Sequence, residues 1–170
     1  EAVTDAMGMV IATSVYGSEN GVVEGDSVLP ATLPDLPDSG VVTAILSNSQ
    51  DYLQNATTYF YYDLNAWKER SEPPCFVELA RETHVSELAQ GAVTRIRKTI
   101  GYSDGFEREL QSKVLVEAGL AWQKQPDNSF AEENTEERWL VSGRKVYNNK
   151  GKPVKQYEPF YSGTYEYEDE

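Results

Sequence analysis

Candidate metal-binding residues cluster at Glu78, Glu82 and His84. Carboxylates and imidazole are common ligands of divalent cations, so a metal site is one interpretation. If the segment is a strand, the three side chains share one face, but Glu78 and His84 stand about 20 Å apart at roughly 3.3 Å per residue. If it is a helix, the two glutamates lie one turn apart and His84 lies to the side. A solvated acidic face is the better interpretation.

Nucleophilic and acid–base chemistry has little support in the sequence. Cys75 is the only cysteine, which excludes an internal disulfide and a zinc site built from cysteines. Next to Pro73 and Pro74, its thiol fits a small buried hydrophobe better than a nucleophile. Carboxylate pairs such as Glu107 and Glu109 are frequent in so acidic a chain. A glycosidase needs two carboxyl groups facing each other across a cleft, and the sequence does not define a cleft.

The tryptophans, a glycosylation sequon and a lone serine motif give weaker signals. Trp67, Trp122 and Trp139 suit a sugar-stacking platform, although packing is the usual role of tryptophan in β proteins. Asn55 begins a glycosylation sequon, which has meaning only in a eukaryotic secretory pathway. Ser142 lacks the first glycine of a nucleophile elbow. We therefore expect no enzyme activity, no catalytic residue, no cofactor and no metal.

The composition indicates an acidic β protein. The 170 residues carry a net charge of −13, with a pI of about 4.5. This charge disfavours nucleic acid and anionic membrane surfaces as partners, because both are also negative. Eleven tyrosines, together with valine and threonine, favour strands over helices. No apolar run is long enough to insert into a bilayer, and a start at Glu1 without Met leads us to expect a single 1–170 fragment of a larger domain.

The clearest local element is a predicted β-hairpin at Arg95–Val116. Apolar side chains fall on even positions on both sides of an Asp-Gly turn signal, which is period-two spacing. A two-residue loop would pair Ile100 with Glu109 and split the apolar set between two faces. An odd loop pairs Ile100 with Arg108 or Leu110 and keeps the aliphatic side chains on one face. We predict the odd loop.

Similar patterns predict the other strands. The segments expected to form strands or hairpins are Val3–Val15, Ala56–Lys68, Phe76–Val85, Trp139–Tyr157 and Tyr161–Glu170. The Phe76–Val85 segment also fits a helix, and its β-branched residues favour the strand. The last segment is expected to lack a partner strand.

Two segments, 17–40 and 118–137, predict irregular insertions. The first contains three Leu-Pro pairs, too dense for regular structure, and the second is acidic and broken by Gly and Pro. A short helix is expected at Val41–Leu53, capped by Ser39 or Asp38. The predicted fold is all-β, made mainly of antiparallel hairpins with long loops and one or two short helices.

Several turns share a sequence pattern. The turn at Asp5 and Gly8 aligns with the turn at Asn148 and Gly151, and other turns place a tyrosine before the capping residue. Recurring hairpins indicate a structure in which each unit buries its face against neighbours. The residues assigned to these repeat turns are Asp5, Gly8, Tyr62, Asp63, Tyr102, Asp104, Gly105, Arg108, Tyr147, Asn148 and Gly151.

This pattern resembles the tyrosine–aspartate (YD, or Rhs) repeat, roughly Tyr-Asp-x-x-Gly-Arg. The runs YYDLNAW, LARETHVSEL, YSDGFERELQSKV and SGRKVYNNKGKPVKQYEPFYS occur in the order seen in the B component of bacterial insecticidal toxin complexes and in SpvB-type proteins. The resemblance extends from Glu1 to about Tyr167 and is most specific from Asn148 to Phe160. Glu107 departs from the pattern, because the family usually places glycine before this arginine.

The resemblance implies a structural role. In the family, such hairpins wind into a hollow β shell that encloses a toxic polypeptide before delivery. Implied partners are other repeats of the same protein, the enclosed polypeptide, and the pore-forming and C components of a toxin complex, in a secreted setting. Nothing matches the self-cleaving protease region of the family, so no catalytic residue is carried over. The alternatives are a secreted β-rich module that binds a carbohydrate or cell-surface partner and, less favoured, a carboxylate hydrolase.

Overall fold

The computed structural model describes residues 1–26, 35–106 and 108–168. The strands, in chain order, are β1 Ala2–Thr4, β2 Val10–Thr13, β3 Tyr16–Glu19, β4 Val22–Gly25, β5 Thr58–Asp63, β6 Cys75–Arg81, β7 Ile96–Ser103, β8 Glu109–Val116, β9 Gly119–Lys124, β10 Phe130–Thr135, β11 Arg138–Ser142, β12 Lys145–Tyr147, β13 Pro153–Gln156 and β14 Phe160–Ser162. The helices are α1 Val41–Ser47, α2 Ser49–Leu53 and α3 Ala66–Arg70, with a 3₁₀ turn at Val85–Glu87.

The chain forms two compact units. Unit 1 comprises Glu1–Tyr61 and Val77–Lys98, and unit 2 comprises Tyr62–Phe76 and Thr99–Glu170. The division falls within β5, β6 and β7. The prediction of an all-β fold is confirmed, with three short helices among the described residues.

In unit 1 the strand order is β1-β2-β5-β6, and β3 and β4 form a separate two-stranded sheet. Burial along β6 alternates, with Val77 and Leu79 fully buried, because successive side chains of a strand point to opposite faces. Ile45 and Leu53, from α1 and α2, are also fully buried and complete the apolar core of this unit.

In unit 2 the order is β7-β8-β11-β14-β9-β10, and β12 pairs only with β13. Neighbours are antiparallel except β14 and β9, which pair in parallel between Ser162 and Trp122. The final strand therefore has two partner strands, so the prediction that it lacks one is wrong.

The register of the β7–β8 hairpin differs from the prediction. Ser103 pairs with Glu109 across a five-residue loop, so the predicted odd number of loop residues is found. The register then shifts by one residue, so that Tyr102 pairs with Gln111 and Ile100 with Lys113. Leu110 is the extra residue of this bulge. A one-residue shift sends every following side chain of the strand to the other face.

Both predicted insertions contain strand pairs. The segment 17–40 includes most of the β3–β4 hairpin, and 118–137 includes the β9–β10 hairpin, in which six consecutive residue pairs are in register. The β9–β10 turn closes when the Gln125 N–H donates to the Ser129 carbonyl, with Asn128 in the left-handed region at φ 64°. The glutamates of β10 lie on exposed strand positions, and their charge obscured the strand pattern. The part of the first insertion from residue 27 to 34 lies outside the described residues.

Three further boundaries differ from the predictions. The helix at Val41 begins at Gly40, at φ 65°, without a side-chain cap from Ser39 or Asp38. The predicted Trp139–Tyr157 hairpin is two elements, because β11 joins β8 and β14 while β12 and β13 form the hairpin alone. Pro153 opens β13, where its missing N–H costs least. In the described part of the chain, no helix has the length and apolar character needed to cross a membrane.

The register can be tested by cross-linking. Cysteines replacing Thr99 and Val114, which are direct cross-strand partners, should form a disulfide on mild oxidation in a Cys75→Ser background. The control pair replaces Thr99 and Leu110, which lies four residues, or about 13 Å of strand, from Val114. Bridging is measured by the gel shift on reduction. A bridge in the control pair, or none in the first, would contradict the register.

Candidate functional site

Three of the predicted repeat turns share one hydrogen-bond arrangement. In each, the side-chain oxygen of the first residue accepts from the backbone N–H groups two and four residues later. The donors are Met7 and Met9 for Asp5, Phe106 and Arg108 for Asp104, and Lys150 and Lys152 for Asn148, at 2.9 to 3.3 Å. This is how Asp and Asn stabilise tight turns.

The backbone of these turns also closes in the same way. The N–H of each first residue donates to the carbonyl four residues later, at 2.9 to 3.2 Å. Gly8 and Gly151 occupy the same fourth position, at φ 84° and 71°, where an L side chain would be strained. Gly105, at φ 77°, sits instead at the second position of its turn. Glu107, in that same turn, lies outside the described residues.

The fourth predicted turn, at Tyr62 and Asp63, is different. Asp63 ends β5 and accepts from the Arg70 guanidinium at 2.5 Å, and α3 follows in place of a return strand. An Asp or Asn therefore marks a strand end in all four places but a hairpin in only three.

Arg108 brings two of these turns together in unit 2. Its guanidinium is ion-paired with Asp104 and lies 4.7 Å from the centre of the Tyr147 ring. A side-chain carbon added at Gly151 would lie 2.3 Å from Arg108 Nη1, so the guanidinium would have to move if this glycine were replaced. The Tyr147 hydroxyl donates to the Glu109 carbonyl at 3.1 Å. The predicted residues Asp104, Arg108, Tyr147 and Gly151 thus meet.

A buried polar face lies on the same strands. Lys113 is fully buried in β8, donates to the Thr164 carbonyl at 3.0 Å and lies 3.4 Å from a Glu168 carboxylate oxygen. Burial lowers the pKa of Lys113 to about 8, because removing the ammonium from water disfavours the charged form more than Glu168 favours it. Ser162 bonds the other Glu168 oxygen.

The segment that covers this face is also held by tyrosines. The Tyr102 hydroxyl donates to the Tyr165 carbonyl at 2.7 Å, and the Tyr102 ring centre lies 5.5 Å from that of Tyr167. Burial raises the pKa of Tyr102, which therefore stays neutral and able to donate. Both side-chain polar atoms of Gln111 and the Trp139 indole nitrogen are buried on this face without a hydrogen-bond partner among the described residues. Sequence reasoning missed this face because the bulge, and not the apolar pattern, decides which residues of β8 are buried.

A second buried charge organises unit 1. Asp26 is fully enclosed and accepts from His84 Nδ1 and from the Val85 N–H, each at 2.9 Å, and from the Thr57 hydroxyl. Arg81 Nε lies 3.3 Å from Oδ1 of the same carboxylate. Burial alone would raise the pKa of Asp26, but these donors and the Arg81 charge outweigh it, so its pKa is lowered and the carboxylate stays ionised.

Arg81 is equally enclosed. Its guanidinium donates to the carbonyls of Ala56 and Gln54, each at 2.6 Å. No short sequence motif around Asp26 indicates its pairing with Arg81, because the residues that contact Asp26 lie 31 to 59 positions away along the chain.

The other sequence candidates are placed apart. His84 turns to Asp26, and Glu82 lies 3.8 Å from Arg95, so the proposed trio does not converge. Among the described residues, no group of three or more His, Cys, Asp or Glu is placed to hold a metal ion. Burial raises the pKa of the Cys75 thiol to about 12, which makes it a poor nucleophile.

Comparison with solved structures relates the whole fold to toxin complexes. A chain described as TcdB2-TccC3 matches 98% of this chain at a TM-score of 0.81 and 29% sequence identity, over 8% of its own length. A Photorhabdus luminescens Tc holotoxin pore with a mutation in TccC3 matches 98% at a TM-score of 0.78 and 22% identity, over 10% of its length. A TcdB2-TccC3-Cdc42 structure gives 0.77 and 22% over the same shares.

The chain thus spans about a tenth or less of the length of the structures it matches. These likenesses support the toxin-complex, Rhs-type resemblance drawn from the sequence and do not bear on the SpvB-type assignment. No protein-family model and no curated protein sequence matches the chain.

Replacing Asp26 by Asn should lower the free energy of unfolding by about 3 to 5 kcal/mol, because the Arg81 charge would remain buried without its counterion. Urea unfolding measures this loss. The matched control is Asp38→Asn at an exposed position, which should change the unfolding free energy by less than about 0.5 kcal/mol. Equal losses in the two variants would show that Asp26 does not stabilise the fold through its charge.

The buried Lys113 predicts a pH dependence. Its pKa in the folded chain, about 8, lies below the ordinary value of 10.5. Between these values the unfolded chain keeps a proton that the folded chain has lost, so the unfolding free energy rises with pH, by up to about 3 kcal/mol. Burial raises the pKa of Tyr59 from 10 to about 12, so Tyr59 lowers the unfolding free energy with rising pH only above about pH 10.

The measurement is urea unfolding at pH 7.5 and 9.5 of the wild type and of Lys113→Met. The wild type should gain stability relative to the variant as the pH rises. A difference that is constant, or that changes in the opposite direction, would contradict the burial of an ionisable amine.

Proposed function

We propose that this chain is a section of the wall of an Rhs-repeat β shell that encloses a toxic polypeptide in a toxin complex. One observation carries the proposal: nearly the whole fold is similar to a short segment of a much longer TcdB2-TccC3 chain. The role is structural and not catalytic, and it corresponds to the B component that the sequence resembles. The setting would be extracellular.

The edges of the sheets suit a wall. In unit 1, β1 ends the strand order and all three of its residues are exposed. In unit 2, β10 ends the order and is exposed along most of its length. Unpaired strand edges invite pairing with further strands, and a closed wall removes them. Further repeats of the same long chain would supply these partners.

The turns suit repetition. The arrangement at Asp5, Asp104 and Asn148 is set within five residues and needs no distant contact. Such a turn can be repeated along a wall whose sequence varies elsewhere. Arg108 stacked on Tyr147 shows how one turn packs on another, by a cation–π contact. By the resemblance, the partners of the assembled shell are the enclosed polypeptide and the pore-forming and C components.

Protease protection tests the proposal. The full-length protein that carries this chain is purified together with the polypeptide proposed to be enclosed, and that polypeptide should survive a protease that digests it when free. Trp139→Asp places a charge at a buried wall position and should speed digestion at least about tenfold, because cleavage follows the opened population. Digestion is followed by quantitative gel electrophoresis.

The control is Trp67→Asp on exposed α3, which should leave protection unchanged. Digestion at the same rate inside and outside the assembly would reject enclosure. Glycan binding by this chain that is lost on Trp67→Ala would favour the binding module in its place.

A further inference from the structure

The β3–β4 hairpin of unit 1 turns on an Asn-Gly pair. Glu19 pairs directly with Val22, so Asn20 and Gly21 alone form the loop. Their φ angles are both positive, 51° and 82°, as a type I′ turn between antiparallel strands requires. Both residues are exposed, and the Asn20 side chain forms no hydrogen bond with the described residues. The Asn20 carboxamide is therefore open to water.

Asn20 is the only asparagine of the chain that precedes a glycine. Because glycine has no side chain, the Gly21 nitrogen is less hindered than the nitrogen that follows any other asparagine. Attack of this nitrogen on Asn20 Cγ closes a five-membered ring. The two reacting groups are held within one short loop, which favours an intramolecular reaction.

The asparagine of the β9–β10 turn provides an internal comparison. Asn128 is also exposed and also in the left-handed region, at φ 64°. It is followed by Ser129, whose side chain hinders the attack and whose N–H donates to Asp127 Oδ1 at 3.0 Å. Asn128 therefore shares the backbone region of Asn20 but has an obstructed nucleophile.

The Asp104-Gly105 pair has the same ring closure available, with loss of water, but its carboxylate is occupied. Asp104 Oδ1 accepts from the Phe106 and Arg108 N–H groups, and Oδ2 accepts from the Arg108 guanidinium. Burial alone would raise the pKa of Asp104, but these donors outweigh burial and lower the pKa. The group stays an ionised carboxylate, which a backbone nitrogen attacks poorly. The folded turn therefore protects Asp104.

We propose that Asn20, and not Asp104, is a spontaneous modification site of the folded chain, where asparagine converts to aspartate and isoaspartate without an enzyme. The Gly21 nitrogen loses its proton and bonds to Asn20 Cγ, the Cγ–Nδ2 bond breaks, and the side-chain nitrogen leaves as ammonia with that proton. Water then opens the cyclic imide at either of its carbonyls. The net reaction consumes one water and releases one ammonia, and nothing is oxidised or reduced. This inference stands independently of the proposed wall function.

The products change the hairpin in two ways. Each adds a negative charge to an acidic hairpin, next to Glu19. Isoaspartate also adds one carbon to the backbone of a two-residue loop, and loop length sets the register of the strands that it joins. Modification at Asn20 therefore loosens the pairing of β3 with β4.

The test incubates the full 170-residue chain at pH 8.5, where a backbone N–H is more readily deprotonated than at neutral pH. Cleavage after glutamate then releases residues 20–24 and 118–132, which contain Asn20 and Asn128. Mass spectrometry and isoaspartate-specific methylation measure the product in each peptide. Isoaspartate should appear in the first peptide at least about tenfold faster than in the second, because only the first offers an unhindered nitrogen.

Variants and urea supply the controls. Asn20→Gln should remove the product from the first peptide, because the larger ring that glutamine must form closes much more slowly. The matched control, Asn128→Gln, should leave the rate at Asn20 within about twofold, since the two turns share no contact. In urea the peptide 88–107, which contains Asp104, should also form isoaspartate, because the donors that occupy its carboxylate are lost. No product at Asn20, equal rates at Asn20 and Asn128, or the same rate at Asp104 with and without urea would overturn the proposal.

Discussion

The bulge at Leu110 decides which side chains of unit 2 lie inside. Because the register shifts there, Lys113 joins Ile100 on the buried face, and a charged amine is removed from water. Such burial is unfavourable unless other groups satisfy the charge. Thr164 and Glu168 supply those groups, so the segment after β14 must fold back over the strands. The tyrosine contacts around Tyr102 hold the same segment in place, and burial lowers the pKa of the lysine.

Unit 1 follows the same rule with the opposite charge. Asp26 is enclosed, and it remains ionised because backbone, hydroxyl, imidazole and guanidinium donors converge on it. Removing one partner of such a set costs more than the pair contributes as a whole, because the other charge stays buried. The same carboxylate lies 2.9 Å from His84 Nδ1 and so orients the imidazole ring.

The turns contribute in a different way. An Asp or Asn oxygen that accepts two backbone N–H groups defines a turn locally, whereas the contacts between turns are stacked and partly exposed and are each worth little. Arg108 links the two turns through its geometry and not through the strength of either contact, because one planar guanidinium contacts both Asp104 and the Tyr147 ring. A wall made of many such units gains its stability from repetition.

The sequence alone determined the β class and the positions of the turns at Asp5, Asp104 and Asn148, because period-two spacing and turn chemistry act within a few residues. It favoured a strand over a helix at Phe76–Val85, and the structure places that strand at Cys75–Arg81. It did not reveal the two hairpins in the predicted insertions, the shifted register of β8 or the two buried charges. The two buried charges depend on partners 51 to 59 residues away along the chain, Lys113 on Thr164 and Asp26 on Val85. Only the tertiary structure brings such partners together, because burial is a property of the folded neighbourhood and not of the local pattern.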